Sequence, residues 1–263
     1  MKIVALSGKK QAGKSTAANF FHGAIFKERG VINDFSITEK GELTVQTVNS
    51  NGETGWGVLD VTRNDVDFVN SARETIWPFV KSYSFADSLK WLCEDLFEIP
   101  RKNVWGTNED KDQPIEHLLW ENMPGVTTVK RKGPMPRGLV YHDKGPMTAR
   151  EFMQFFGTDV MRKIYGPIWI NNTLKRIKQE QSEFAIISDA RFVNEVENLL
   201  KEDAIIIRLT RSSHKDVHDS ELQLDENKFD YSKFDYVIRN EAKKYSILDL
   251  CLELEKVYSD IRG

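Results

Sequence analysis

Residues 8–15 read Gly-Lys-Lys-Gln-Ala-Gly-Lys-Ser, a complete G-x-x-x-x-G-K-S phosphate-binding loop. Gly8 and Gly13 lack a Cβ, so the main chain can approach phosphate oxygens closely. Lys14 can place its ammonium on the β- and γ-phosphates, and the Ser15 hydroxyl can ligate a bridging Mg²⁺. The motif therefore predicts that a nucleoside triphosphate binds. It does not name the acceptor, because ATPases, GTPases and small-molecule kinases share it.

Three further side chains at the ends of apolar runs could act on phosphates. Asp189 follows a run that starts at Phe184, and the carboxyl ends of strands form the ligand-binding edge of an open α/β sheet. In phosphate-loop proteins a carboxylate at this place often helps to hold Mg²⁺. Arg191 follows two residues later. Arg211 ends another run and could neutralise charge on a transferring phosphoryl group. The alternative at Asp189 is a helix cap followed by solvated charges.

His214 and His218 are four residues apart, a spacing that could bind a metal on a helix. No cysteine or third histidine lies nearby in the sequence, so the pattern argues against a zinc site.

Several elements must position these residues. The run before the loop and four later apolar runs predict the strands of a parallel sheet: Ile3–Leu6, Ser82–Phe85, Ala185–Ser188, Ala204–Leu209 and Tyr236–Ile238. Helical patterns lie between most of them, which favours an α/β sheet covered on both faces. Ser84 with Asp87 predicts one helix start, Thr148 with Glu151 predicts a capping box, and a last helix follows Ser246.

Two stretches interrupt this alternation. Residues 31 to about 80 alternate apolar and polar residues around turn signals, which predicts an inserted β-hairpin or small β-subdomain. Residues 121 to 146 contain four prolines and the basic triplet 130–132, which predicts a long loop or short hairpin. We expect one phosphate-loop domain over residues 1–263 with these two insertions. The pattern leaves open whether either insertion is a lid, a dimer interface or a surface decoration, and a homodimer is one alternative.

Composition excludes several classes of protein. The net charge of −3 gives no broad basic field, so nucleic acid is not an expected partner. Cys93 and Cys251 lie among apolar residues and predict buried thiols in a reducing compartment. No apolar run reaches the length of a membrane span, and the first run is too short for a signal peptide. We expect a cytoplasmic protein that does not act on a membrane.

Several ordered blocks carry a family resemblance. They are Leu6-Ser7-Gly8-x-Lys10-x-x-Gly13-Lys14, Phe85-Ala86-x-x-Leu89-Lys90, Arg150-x-x-Met153-Gln154-x-x-Gly157-Thr158-Asp159 followed by Trp169, Asp189-x-Arg191-x-x-x-Glu195, and Arg211 leading to His218-x-Ser220-Glu221. In these blocks the chain resembles the deoxynucleoside monophosphate kinases of tailed bacteriophages. The phosphate loop is generic, whereas the three blocks around residues 157–159, 189–191 and 218–221 are more specific. Ser15 departs from the family, whose members often carry aspartate there.

The resemblance implies a nucleoside monophosphate kinase fold, with a five-stranded parallel sheet of order 2-3-1-4-5 flanked by helices. It implies transfer of the γ-phosphoryl of ATP, with Mg²⁺, to a deoxynucleoside 5′-monophosphate, in the host cytoplasm if the chain is phage-encoded. ATP would be held by Gly8, Gly13, Lys14, Ser15 and Thr16. The acceptor would be held by Lys10, Leu89, Lys90, Arg150, Gln154, Trp169, Asp189, Arg191 and Glu195. Lys14, Arg191 and Arg211 would be catalytic, and Ser15 and Asp189 would hold the metal.

Three other functions remain possible from the sequence. The first is a GTPase. Asn227-Lys228-Phe229-Asp230 matches the N-K-x-D pattern with which GTPases read guanine, but no apolar strand precedes it, so we interpret it as a chance match. A kinase for another small molecule would ignore nucleoside monophosphates. A non-enzymatic regulator would bind ATP or nucleic acid without transfer, and a steep salt dependence of DNA binding would mark it.

Overall fold

A computed structural model describes residues 1–48, 51–124, 144–211, 223–240 and 246–262. The chain forms two compact units. The first contains Met1–Ser84 and the described residues of 175–211 and 223–262, and the second is Phe85–Leu174. The basic triplet 130–132, most of the stretch 121–146, His214, His218 and the end of the last family block lie outside the described residues. The prediction of one domain with two insertions stays a prediction.

The first unit is built on a five-stranded parallel sheet of β1 (Lys2–Gly8), β5 (Val80–Tyr83), β8 (Phe184–Ala190), β9 (Ile205–Thr210) and β10 (Tyr236–Arg239). The strands lie in the order β5-β8-β1-β9-β10. The numbering skips because five strands of small sheets intervene along the chain. Counted within this sheet alone, the order is 2-3-1-4-5, and the predicted flanked parallel sheet is confirmed.

The sheet forms because its central strands are apolar on both faces, as a sheet covered by helices requires. In β1, Ile3 to Gly8 are buried, and β8 begins with four buried residues. β1 pairs with β8 and β9 in parallel register, with Ala5 opposite Ile187 and Ile206. β5 begins and ends two residues earlier than the predicted strand Ser82–Phe85, because Ser84 and Phe85 turn away from the ladder after pairing ends at Tyr83.

The helices of this unit are α1 (Lys14–Glu28), α2 (Val66–Thr75), α9 (Val193–Leu200) and α10 (Ile247–Arg262), and α8 (Ile168–Glu180) contains the boundary between the units. A 3₁₀ turn spans Tyr231–Lys233. α1 and α10 pack into the main core with the sheet, through Phe21 and Tyr258 among others. α10 begins after Ser246 as predicted, and Ser246 exchanges hydrogen bonds with Asp249.

Within residues 31–80, a three-stranded antiparallel sheet confirms the predicted β-structure. Its strands β2 (Asp34–Ile37), β3 (Leu43–Val48) and β4 (Thr54–Val58) lie in chain order. One face packs on α1, where a Cβ at Gly23 would lie 2.3 Å from the Phe35 ring. The sequence did not predict α2, whose N-cap Asp65 accepts a hydrogen bond from the Phe68 N–H.

The second unit contains α3 (Asp87–Asp95), α4 (Arg101–Trp105), α5 (Asn108–Lys111), α6 (Ala149–Gln154) and α7 (Arg162–Ile164). A 3₁₀ turn spans Trp120–Asn122, a π-helix spans Phe155–Met161, and β6 (Pro114–Leu119) pairs antiparallel with β7 (Pro146–Thr148). Its core gathers Cys93, Val104, Trp120, Met147 and Phe152. The capping box of Thr148 and Glu151 is confirmed at the start of α6.

One predicted helix start is wrong. α3 begins at Asp87 with Ala86 as its N-cap residue and no side-chain cap, and the Ser84 hydroxyl donates to Asp189 at 2.5 Å. Both cysteines are free thiols in the described chain. Burial raises the pKa of Cys93 to about 12 and also raises the pKa of the half-buried Cys251. None of the described helices has the length and apolar character that crossing a membrane requires.

Candidate active site

The phosphate loop joins β1 to α1 through a tight backbone path. A Cβ at Gly8 would lie 2.6 Å from the carbonyl oxygen of Leu209 on the neighbouring strand, so only glycine fits there. Gly13 precedes α1 in the left-handed region, with φ of 100°. Gln11 also has a positive φ, 62°, which costs free energy for a residue with a side chain. The loop therefore keeps a strained shape that only its surroundings maintain.

Lys14 curls over this loop. Its Nζ donates to the carbonyl oxygens of Gly8 at 2.6 Å and Lys9 at 2.7 Å. α1 has no side-chain N-cap and no acidic residue in its first turn. The first N–H groups of a helix and its dipole favour an anion at this end. The loop, the lysine and the helix end together form a site suited to a polyphosphate.

The three other predicted loop residues differ in their surroundings. Ser15 and Lys10 are exposed. Thr16 lies against the turn between β2 and β3, since a Cβ at Gly41 would be 2.4 Å from its hydroxyl oxygen. Asn19, one turn further along α1, donates to the Gly41 carbonyl at 2.8 Å. The β-rich stretch thus contacts the first turns of the helix that follows the loop.

Asp189 lies near the carboxyl end of β8, beside β1 and β5. Its Oδ2 accepts a hydrogen bond from the Ser84 hydroxyl at 2.5 Å. The carboxylate and the Ser15 hydroxyl are hard oxygen ligands, the type that Mg²⁺ prefers. Among the described residues, no three His, Cys, Asp or Glu side chains cluster in a way that could hold a metal ion. Mg²⁺ in such sites usually keeps waters and uses substrate phosphates in addition to one or two protein groups.

Glu195 is buried and supports the backbone after β8. Its Oε2 accepts from the N–H groups of Arg191 at 2.7 Å and Phe192 at 3.0 Å. These two charge-assisted hydrogen bonds fix where Arg191 leaves the strand. The structure therefore gives Glu195 a positioning role, and its predicted contact with substrate stays a prediction.

Arg211 follows the end of β9 and reaches the phosphate loop, where its Nη1 donates to the Gln11 carbonyl at 3.1 Å. A cavity of about 330 Å³ opens beside this contact. Its lining includes Lys9, Arg208, Arg211, Asn227 and Tyr231. With Arg239 the lining has four cationic side chains beside the loop, and two acidic ones, Asp225 and Glu226, face them.

In the second unit, Leu89, Gly157 and Trp169 come together. The Trp169 ring N–H donates to the Gly157 carbonyl at 3.1 Å, and the ring is buried. A Cβ at Gly157 would lie 2.6 Å from Leu89 Cδ2. This arrangement explains the glycine of the 157–159 block, since a larger residue would displace Leu89.

The two predicted cations of this unit have local partners. Lys90 Nζ lies 4.6 Å from the centroid of the Trp105 ring, a cation–π geometry. Arg150 forms an ion pair with Asp112 at 2.5 Å and donates to the Asn108 side chain at 2.9 Å. Gln154, at the end of α6, is half-buried. Leu89 and Trp169 thus meet at Gly157, whereas Lys90 contacts α4 and Arg150 contacts α5 and Asp112.

Comparison with known proteins identifies the family. The family model described as deoxynucleotide monophosphate kinase matches residues 2–249. The chain belongs to this family. A protein of Acanthamoeba polyphaga mimivirus named "Putative deoxynucleotide monophosphate kinase" is 24% identical over 158 residues, which cover 54% of this chain and 67% of that protein. The chain is therefore a nucleotide monophosphate kinase, an enzyme with a nucleotide substrate, as the sequence predicted.

Arg208 is a residue of the kinase that the sequence prediction missed. It is 3% exposed inside β9. Its guanidinium donates to the Ser7 hydroxyl at 3.0 Å and to the Leu224 carbonyl at 2.8 Å, so it ties the start of the phosphate loop to a distant segment. The signal was present in the sequence, because an arginine within Ile205-Ile206-Ile207-Arg208-Leu209 interrupts an apolar strand and must find partners.

Two other features of the kinase were not predicted. Lys9, a variable position of the loop motif, forms an ion pair with Asp225 at 2.8 Å. The Gly157-Thr158-Asp159 block lies in the π-helix Phe155–Met161, a rare geometry that is frequent at functional sites. The N-K-x-D match at Asn227–Asp230 lies in turns, and Asp230 caps the 3₁₀ turn by accepting from the Ser232 N–H.

Proposed function

We propose that this kinase transfers the γ-phosphoryl group of ATP to the 5′-phosphate of a deoxynucleoside monophosphate, giving ADP and a deoxynucleoside diphosphate. The observation that carries the proposal is the phosphate loop, with Lys14 folded over it and the uncapped start of α1 behind it. Family membership supports the monophosphate as acceptor. The donor and the preference for deoxyribose are part of the proposal.

In the reaction, an oxygen of the acceptor phosphate forms a bond to the γ-phosphorus while the bond to the β–γ bridging oxygen breaks. Both reactants are anions, so the protein must mainly offset charge and align them. Lys14 and the loop N–H groups would hold the β- and γ-phosphates, and Thr16 would contribute at the same helix end. Lys10 would reach the acceptor phosphate. Arg191 and Arg211 would stabilise charge on the transferring group.

Ser15 and Asp189 would hold Mg²⁺, which supplies neutralisation of the β- and γ-phosphate oxygens when bound. The residues fit this role because both are oxygen donors at the same sheet edge, at the ends of neighbouring elements. We expect Asp189→Asn to raise the Mg²⁺ concentration that half-saturates the rate.

Leu89, Lys90, Arg150, Gln154, Trp169 and Glu195 are proposed to hold or position the acceptor. For Trp169 the buried ring suggests that it shapes the pocket through Gly157 and Leu89. For Arg150 the partners Asp112 and Asn108 hold the guanidinium in one orientation. We also propose that the diphosphates serve DNA synthesis of a virus in the cytoplasm of its host, on the strength of the resemblance to phage kinases.

The test is an assay of ADP formation from ATP over the full panel of nucleoside and deoxynucleoside monophosphates. We expect turnover with one or more deoxynucleoside monophosphates. Lys14→Ala should lower kcat by at least about 10²-fold, since it removes a charge aimed at the transferring group. Lys27→Ala is the matched control, because Lys27 lies in the last turn of the same helix and pairs with Asp34 at the surface. Its kcat should equal that of the wild type.

The competing functions give different results in the same assay. A kinase for another small molecule would leave every nucleoside monophosphate unchanged. A regulator would bind ATP without forming any diphosphate. Either result would refute the proposal, as would a Lys14→Ala variant of full activity.

A further inference from the structure

β4 is an exposed edge strand with no charged residue. It reads Thr54-Gly55-Trp56-Gly57-Val58, and within the described chain it pairs only with β3. Trp56 is 53% exposed and Val58 is 65% exposed. Proteins usually protect such edges with lysine, proline or a bulge, because unpaired strand edges recruit other strands. β4 has none of these protections.

The pairing of Leu59, the residue just after β4, shows which residues of β4 form hydrogen bonds with β3. Leu59 N–H donates to the Leu43 carbonyl at 2.9 Å, and the register of β3 and β4 places these two residues opposite each other. Bonded and non-bonded pairs alternate along an antiparallel ladder. The odd-numbered residues of β4 therefore bond to β3. The main-chain N–H and C=O groups of its even-numbered residues, Thr54, Trp56 and Val58, point to the open edge.

We propose that β4 pairs antiparallel with β4 of a second copy of this chain, with the two-fold axis at Trp56. This register places Thr54 of each copy opposite Val58 of the other and the two Trp56 residues opposite each other. All three outward-facing residues then lie in bonded pairs, which gives about six hydrogen bonds across the axis. The two small sheets become one continuous six-stranded sheet.

Gly55 and Gly57 allow this register without a steric clash between the two strands. Gly55 of one copy would lie opposite Gly57 of the other in non-bonded pairs, where Cα atoms approach to about 4.5 Å. An ideal Cβ at either glycine meets no atom within 4 Å, so neither position is obstructed by its own chain. On the other face, Val48 of β3 lies opposite Thr54 and diagonal to Trp56, and it is 52% exposed. This apolar surface would be covered by the same residues of the second copy.

The charges and the sequence favour a second copy over another protein. Around Trp56 the strand reads almost the same in both directions, so it is complementary to itself. The flanking acids do not meet, because Glu53 would face Leu59 and Asp60 would face Gly52 of the other copy. The interface is small beside the roughly 1,200 Å² of a standard stable complex, so we expect a dimer that dissociates on dilution.

The first experiment measures sedimentation of the full chain over a hundredfold concentration range. We expect the wild type to shift from monomer to dimer. Val58→Pro removes an N–H that faces the open edge, where proline is compatible with the monomer, and should weaken association at least about tenfold. Val66→Pro is the matched control. Val66 is 72% exposed and is the first residue of α2, where proline is favoured, so its dimer should match the wild type.

A second experiment tests the register without a proline. Chains carrying Thr54→Cys and chains carrying Val58→Cys are oxidised separately and as a mixture. In the proposed register the two positions lie about 5.5 Å apart between Cα atoms, within disulfide range. Disulfide-linked dimer, joined through positions 54 and 58, should form in the mixture far more than the 54–54 or 58–58 dimer forms in the separate samples. Wild-type chains, which carry Cys93 and Cys251, give the background.

Four results would overturn the proposal. They are a wild type that stays monomeric at every concentration, a Val58→Pro dimer as strong as the wild type, equal loss of the dimer in both proline variants, and a mixture with no more disulfide-linked dimer than the separate samples. If the edge of β4 becomes paired only after a different protein is added, the choice of a second copy of this chain as its partner is wrong.

Discussion

Acid should destabilise the fold through one buried histidine. His22 lies in α1 and is 1% exposed. Its Nδ1 lies 2.8 Å from the Ala18 carbonyl and therefore carries the proton, while Nε2 lies 3.4 Å from the Ser82 hydroxyl. Burial lowers the pKa of His22 from 6.5 to about 4, because the charged ring would lose its hydration. The ring is neutral in the folded protein near neutral pH.

The sign of the pH dependence follows from this lowered pKa. Between pH 6.5 and 4 the unfolded chain binds a proton at His22 and the folded chain does not. The free energy of unfolding therefore falls as the pH is lowered through this window. A difference of about 2.5 pKa units corresponds to a loss of up to about 3 kcal/mol by pH 4. This is a large part of the stability of an ordinary domain.

The assay is urea denaturation of the wild type and of His22→Gln at several values between pH 7.5 and 4. Subtracting one free energy of unfolding from the other removes the contribution of the carboxylates. We expect the free energy of unfolding of the wild type to fall relative to that of His22→Gln as the pH falls. Phe26→Leu is the control, because the centroids of the Phe26 and His22 rings lie 5.8 Å apart and Phe26 does not titrate. Its curve should run parallel to that of the wild type. A His22→Gln curve parallel to the wild type would refute the reasoning.

Two further predictions concern the phosphate loop. Gly8→Ala should lower stability by about 1–3 kcal/mol and weaken ATP binding, because its Cβ would meet the Leu209 carbonyl at 2.6 Å. Gly55→Ala, which meets nothing within 4 Å, is the control in thermal unfolding and ATP titration, and equal effects of the two would contradict the steric argument. Arg208→Lys should cost about 2–4 kcal/mol, since one ammonium cannot replace both guanidinium hydrogen bonds. Unchanged thermal unfolding and an unchanged KM for ATP would show that the tie to Ser7 is dispensable.

Much of the fold could be predicted because its signals are local. All five strands of the main sheet are apolar runs that the sequence marks within two residues at each end. The capping box at Thr148 depends on residues three apart and was also predictable. The helix start at Ser84 was not. α3 begins after Ala86, and the Ser84 hydroxyl donates to a residue 105 positions away, a contact that depends on the pairing of β5 with β8.

The candidate site also contains features that the sequence predicted and features that only the structure shows. The loop from Gly8 to Ser15 and its link to a strand and a helix were visible in the sequence, because backbone freedom at Gly13 and the charge of Lys14 are properties of the residues themselves. The family resemblance named Glu195 and Trp169, but the contacts that give them a positioning role were not visible. Glu195 supports the backbone of Arg191, and Trp169 is buried against Gly157 in a π-helix, which no helical periodicity would show.

The sequence by itself predicted a phosphate-binding loop after the first strand, and it determined that five strands form a parallel sheet. Hydrophobic runs and glycines suffice for this, since burial and backbone freedom act over a few residues. Only the tertiary structure decided what supports the loop. Arg208 reaches Ser7 and Leu224 because pairing of β1 with β9 brings together residues about 200 positions apart. Such contacts depend on strand order and register, which no single segment encodes.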